Sequence, residues 1–217
     1  MAVTPRRVYG LLVARYGAAG WWPGESAFEV CLGAILTQNT AWSNVEKALA
    51  NLRSRGLLRF DRLDRVPPGR LATLLRPSGT YRVKARRIRA FLRFLKAEYG
   101  GRVDAMRDEE AGTLRRKLLL VPGIGPETAD SMALYAAGKP LFVVDAYTRR
   151  VFGRLGLLRG DESYEDVQRF LTRRLPQDVA LFNDYHAQLV RLAKEHCRVR
   201  PRCAGCPLER PCPKRGV

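Results

Sequence analysis

Apolar residues along this chain recur every three to four positions almost throughout, the period of a helix with one buried face. Ser26 is placed to N-cap the segment Ala27 to Gln38, which is apolar nearly all round and so predicts a buried helix. Ala41 to Arg53 is amphipathic, with Val45, Leu49 and Leu52 on one face. Pro67-Pro68 opens a short helix over Gly69 to Leu75, and Pro77-Ser-Gly ends it. Tyr81 to Glu98 predicts a long helix. Val83, Ile88, Phe91, Leu92 and Leu95 form its apolar face, and Arg82, Lys84, Arg86, Arg87, Arg89 and Arg93 its other face. A short basic helix is predicted over 4–16, and later helices over 109–119, 126–137, 146–155, 163–174 and 178–196. Only Leu141 to Val144 reads as extended, too short to make a sheet. The predicted fold class is all-α, without internal repeats.

Composition narrows the function classes. The 217 residues are 46% hydrophobic, enough for a globular chain with a real core. No run of about 18 apolar residues occurs, so no membrane span is expected. The N-terminus lacks a charged-then-apolar signal pattern, which makes a cytoplasmic protein the expectation. Lys and Arg number 39 against 21 Asp and Glu, a net charge of +18. Such a field attracts polyanions. Solubility is the alternative reading, and charge alone does not separate DNA, RNA and anionic membranes.

The stretch Val121-Pro-Gly-Ile-Gly-Pro-Glu-Thr-Ala-Asp130 gives that charge a context. Gly123 and Gly125 allow positive φ and strip side chains from the outer surface of the turn. Pro126 suits the first position of the next helix, where a missing N–H costs nothing. Backbone N–H groups in front of a helix N-terminus can then hold an anion, while Ile124 points inward as an anchor. The pattern looks like a helix-hairpin-helix, which grips one DNA backbone without reading sequence. An ordinary turn between two helices that happens to carry glycines is the alternative.

Two further features carry chemistry. Asp145 follows the apolar run Phe142-Val-Val and starts a helix. It can be a plain N-cap, or a carboxylate that stabilises positive charge on a sugar and activates water. Four of the five cysteines lie near the C-terminus as Cys197-x5-Cys203-x2-Cys206-x5-Cys212. Thiols clustered in a cytoplasmic chain indicate a metal or cluster site rather than disulfides. Four thiolates can enclose one [4Fe-4S] cluster. Zinc would accept them too, but its sites more often use two C-x2-C pairs and only one is present. Between the first two cysteines, Arg198, Arg200 and Arg202 are candidates for phosphate contacts. Cys31 sits in an apolar helix and reads as core. His186 and His196 are too isolated for a metal set, and Lys194 has no assigned role.

Leu36-Thr-Gln-Asn-Thr40, the hairpin, Val143-Val-Asp145 and the four cysteines, in that order and spacing, resemble the endonuclease III family of DNA glycosylases. The resemblance spans about Phe28 to Cys212. It implies a six-helix barrel domain over residues 20–129. Residues 1–19 and 130–217 would form a discontinuous iron-sulfur cluster domain, with DNA in the cleft between the two. It implies a monomer acting on double-stranded DNA with a damaged base, which is flipped out and its glycosidic bond cut. Gln38 matches the glutamine that fills the vacated stack, and Asp145 the aspartate required for bond cleavage.

The chain departs from that pattern in three places. Bifunctional members carry a lysine in the turn of the helix after the hairpin, where it forms a Schiff base with the sugar. Here that position is Glu127, and a carboxylate cannot form an imine. Base removal by water, with abasic-site lyase activity weak or absent, is therefore implied. Glu127 is either an acid–base group or a residue that suits the positive end of its helix. The first cysteine interval is one residue shorter than the common pattern. Thr80 stands where many relatives present a bulky apolar wedge.

Trp21, Trp22 and Trp42 flank the helix leading to Gln38 and could sandwich a flipped base, an electron-poor alkylated purine best of all. They could equally plug the core. Trp21-Trp-Pro, Pro77-Ser-Gly-x-Tyr81 and Gly123-Ile-Gly-x-Glu127 also look like the 3-methyladenine branch of the superfamily, which is monofunctional and carries Glu at the turn. Two other readings remain open here. One is an endonuclease III-type enzyme for oxidised pyrimidines with weak lyase activity. The other is a non-catalytic lesion-binding protein.

Overall fold

The computed structural model describes residues 3–19 and 24–217, and all regular structure among them is helical. The chain divides into two compact units, Pro23–Lys139 and a discontinuous unit of Met1–Trp22 with Pro140–Val217. No helix among the described residues is long and apolar enough to cross a membrane.

In the continuous unit, helix α2 (Ala27–Leu36) is the centre. The Ser26 hydroxyl accepts from the Glu29 N–H at 3.2 Å, starting the helix where expected. Val30, Cys31, Leu32, Ile35 and Leu36 are buried, so Cys31 is core. Glu29, only 2% exposed, is neutralised by Arg53 of α3 (Trp42–Arg53). Helix α2 stops two residues short of the expected Gln38. Thr37 caps it, its hydroxyl turned back to the Gly33 carbonyl at 2.8 Å. Asn39 takes the left-handed region at φ 52, where no helix continues.

Two short helices, α4 (Phe60–Leu63) and α5 (Pro68–Leu74), lead to α6 (Tyr81–Tyr99), which ends on a left-handed Gly100. Ile88, Phe91, Leu92 and Leu95 of α6 are fully buried as the periodicity requires. Lys84 corrects the expectation that it lies on the charged face, since it is fully buried. Its ammonium donates to the Leu36 carbonyl at 2.7 Å and the Ser78 carbonyl at 2.5 Å. Those carbonyls end α2 and the 3₁₀ turn Arg76–Ser78, where helix dipoles favour a cation. One buried amine thus ties the segment leading to Gln38 to the segment leading to Thr80.

Helix α7 (Ala111–Leu119) and helix α8 (Pro126–Ser131) enclose the hairpin. Helix α8 does not stop there but runs into a π-helical turn, Met132–Ala136, packed against α2. Lys139 closes it, its N–H bonded to the Ala133 carbonyl at 2.9 Å. The unit boundary therefore falls at 139/140, ten residues beyond the expected 129/130.

The discontinuous unit holds α1 (Pro5–Tyr16), α9 (Ala146–Arg154), α10 (Tyr164–Thr172) and α11 (Val179–Glu195). Phe142, Phe152, Phe182 and Tyr185 build its aromatic core. The Tyr185 hydroxyl donates to the Pro5 carbonyl at 2.8 Å, fixing α1 on α11. Residues 141–144 lie in no helix or strand.

Candidate functional site

The hairpin turns on one strained glycine. Gly123 has φ +88, and a Cβ there would lie 2.4 Å from the Arg87 Cγ. Gly125 is different: its φ of −93 is open to any residue, and a Cβ there would meet nothing within 4 Å. The expectation that both glycines serve positive φ is corrected for Gly125, whose lack of a side chain leaves the outer surface of the turn bare. Ile124 is 5% exposed and anchors the turn, its N–H bonded to the Val121 carbonyl at 3.0 Å. Gly125 caps α8 with no side chain, and Pro126 occupies the first turn. The exposed Glu127 follows in that first turn, where a negative charge suits the helix dipole.

Gln38 lies on this hairpin. Its Nε2 donates to the Gly123 carbonyl at 3.0 Å and to the Thr128 hydroxyl at 2.9 Å, while Arg87 donates to its Oε1. Thr80 is exposed at the N-cap of α6 and makes no side-chain cap bond. Trp42 is half-buried at the start of α3, its indole N–H donating to Glu46 at 2.9 Å. Trp21 and Trp22 lie outside the described residues.

In the discontinuous unit, Asp145 caps α9, and its Oδ1 accepts from the Thr148 N–H at 2.7 Å. Its Oδ2 is 3.4 Å from the Nε2 of His186 on α11, long for a hydrogen bond and short for an ion pair. The two side chains are 12% and 7% exposed. Burial pushes the Asp145 carboxyl up, but the nearby His186 and the bonds from Thr148 outweigh it. The group is held below the usual aspartate range. In the sequence His186 stands too isolated for a metal set, and nothing local signals its place beside Asp145. What the sequence does show is a polar residue one turn from Phe182 and Leu189, on the buried face of α11.

Cys197, Cys203, Cys206 and Cys212 line one cavity with Arg154, His196 and Leu208. All four are free thiols. Burial, then the neighbouring cysteines, pushes the Cys206 and Cys212 thiols up. Four mutually repelling sulfurs around one space suit a cationic cluster. Among the described residues no group of three or more ligating side chains is placed to hold a metal ion. Arg154 was also missed. Its Nη1 lies 3.4 Å from Cys197 Sγ, and the guanidinium donates to the Arg198 and Val199 carbonyls at 2.6 and 2.9 Å. Arg150 holds the Cys197 carbonyl at 2.7 Å. This leaves Arg198, Arg200 and Arg202 exposed on a clamped loop. His196, its Nδ1 3.0 Å from the Arg202 carbonyl, braces the same loop.

Known proteins share this architecture. A Methanocaldococcus jannaschii protein named as a DNA repair glycosylase is 40% identical over 95% of this chain and 94% of its own. Endonuclease III of Thermotoga maritima is 32% identical over 85% of this chain and 82% of its own. The structure of a non-covalent endonuclease III–DNA complex superposes with a TM-score of 0.82 at 27% identity, covering 98% and 96% of the two chains. An H. pylori 3-methyladenine DNA glycosylase bound to 1,N6-ethenoadenine gives 0.78 at 25% identity, covering 89% and 98%. The profile of the HhH-GPD superfamily of base excision DNA repair proteins matches residues 32–177. This chain belongs to the HhH-GPD superfamily of base excision DNA repair proteins.

Proposed function

We propose that this chain is a monofunctional DNA glycosylase that removes alkylated purines from double-stranded DNA by hydrolysis. The observation that carries the reading is the buried Asp145 carboxylate, held below the usual aspartate range at the start of α9; the sequence adds Glu127 at the start of α8. The carboxylate supplies the negative charge a sugar cation needs. The position that would carry the imine-forming lysine holds a group that cannot form one. In the reaction the C1′–N bond breaks with its electron pair leaving on the base. C1′ then takes the oxygen of water, and the water's proton passes to a carboxylate or to the departing base. Asp145 stabilises the cation through space. The strand stays intact with an abasic site.

The surroundings give the other residues their roles. The bare turn Gly123-Ile124-Gly125 holds one backbone phosphate, and Arg198, Arg200 and Arg202 contact phosphates of their own. Gln38 leaves its bonds on the hairpin to fill the vacated stack, and Thr80 meets the opposite strand. Trp42 is assigned to the base pocket, as the sequence assigns Trp21 and Trp22. Cys197, Cys203, Cys206 and Cys212 hold a [4Fe-4S] cluster. Bound there, the cluster supplies a fixed cationic core that orders the arginine loop. The continuous unit Pro23–Lys139 corresponds to a barrel domain and the discontinuous unit to a cluster domain. Likeness to a 3-methyladenine glycosylase supports the alkylated-purine substrate. Likeness to endonuclease III supports a second reading, removal of oxidised pyrimidines.

The test is base release from duplexes holding one lesion each: a stable 3-methyladenine analogue, 1,N6-ethenoadenine, uracil or thymine glycol. Release of the alkylated purines alone is expected. Release of thymine glycol alone moves the assignment to the second reading.

A further inference from the structure

We propose that His186 is a positioning residue for the Asp145 carboxylate, holding it ionised and aimed from the opposite helix. This rests on the reading of Asp145 given above. The geometry is specific. Asp145 has two oxygens and a different task for each. Oδ1 is committed to the α9 backbone through Thr148, while Oδ2 faces the His186 Nε2 at 3.4 Å. Both side chains are nearly buried. A carboxylate in such a place takes up a proton unless a partner offsets its lost hydration. A neutral acid cannot stabilise a sugar cation. The N-terminus of α9 contributes part of the offset, and the imidazole supplies the rest to the oxygen that the helix does not reach.

The ring sits on a rigid support. Phe182, Tyr185 and Leu189, one turn to either side or adjacent on α11, are fully buried. The other charged groups nearby are turned elsewhere. Asp184, two residues before His186, accepts from the Tyr9 hydroxyl of α1 at 2.7 Å and from the Ala19 N–H at 2.5 Å. On α9, Arg149 donates to the Glu162 carbonyl and Arg150 to the Cys197 carbonyl. Asp145 is thus the carboxylate presented to the imidazole.

A histidine that merely filled core volume would matter to folding and to nothing else. The test therefore reads single-turnover base release against pH, from about pH 3.5 to 8, in His186→Gln and His186→Leu. Duplex binding and thermal unfolding run alongside. Glutamine keeps a neutral donor, whereas leucine keeps volume alone. We expect duplex affinity to hold and the rate to fall on the order of tenfold or more in His186→Leu. His186→Gln should fall less, and in both the acid limb should move to higher pH. Carbon-13 titration of the Asp145 carboxyl in His186→Gln reads the same effect without catalysis, and remains informative if the leucine variant does not fold. An unchanged rate and acid limb in folded His186 variants, with Asp145→Asn inactive, would overturn the role of His186 alone. Full activity in Asp145→Asn would remove the reading of Asp145 and the role of His186 with it.

Discussion

The Gln38 carboxamide donates to the Gly123 carbonyl at 3.0 Å, so the residue matched to the DNA gap rests on the turn matched to the DNA backbone. Arg87 completes the arrangement by donating to Gln38 Oε1 and covering Gly123. Gln38 is satisfied here on both ends of its amide. To enter a duplex it must exchange these bonds for new ones. Replacing it with Ala leaves the Arg87 guanidinium and the Gly123 carbonyl to water. A stability loss of about 1 kcal/mol is expected, read as a melting point lowered by roughly 2–4 °C. Lesion excision should fall by more than that loss explains.

The two hairpin glycines should separate folding from binding. Gly123→Ala meets both a positive φ and the Arg87 side chain. It should cost about 1–2 kcal/mol in urea unfolding. Gly125→Ala meets neither, so its stability should stay within about 0.5 kcal/mol of the parent. Its affinity for duplex DNA should nevertheless fall, because the methyl group occupies the bare outer surface. Equal stability losses in the two variants would contradict this division.

Asp145 makes stability depend on pH with a definite sign. Its carboxyl is held below its ordinary range in the folded chain, so the folded state binds its proton less readily than the unfolded chain. The resulting stability is complete above the unfolded aspartate value of about 4 and is lost as pH falls through the folded value. The stability difference between parent and Asp145→Asn should be flat near neutrality and shrink only in acid. A difference that grows toward acid would reverse the sign and refute the assignment.

The arginine loop predicts a salt dependence. Each phosphate contact contributes about 0.9 to the slope of log affinity against log salt. Arg200→Ala should reduce the slope by about that amount and leave lesion preference unchanged. Arg154→Ala should reduce it too, although Arg154 is assigned no phosphate, because its bonds to the Arg198 and Val199 carbonyls hold the loop. It should also weaken the brown colour expected of a loaded cluster.

Much of this was legible in the sequence because it is local. Helix order, the Ser26 and Asp145 caps, the anchor Ile124 and the cysteine spacing all depend on residues within a few positions of one another. What escaped depends on partners far along the chain. Lys84 reads as one more cation on a basic helix until its acceptors, 48 and 6 residues away, are in place. His186 gains its meaning from Asp145, on a different helix. Arg154 was one arginine among many until it met the Arg198 carbonyl, 44 residues on. The helix expected over 126–137 is present, but its second half is a π turn that no residue pattern announces.

The central claim is hydrolysis without strand cleavage, and one reaction tests it most directly. A duplex holding a single 1,N6-ethenoadenine is incubated with the protein, and half is heated with alkali before the strands are sized. Cleavage only in the alkali-treated half, with no adduct trapped by borohydride, is the expected result. Strand cleavage without alkali, together with a trapped protein–DNA adduct, would contradict it and show that another amine replaces the lysine absent at Glu127.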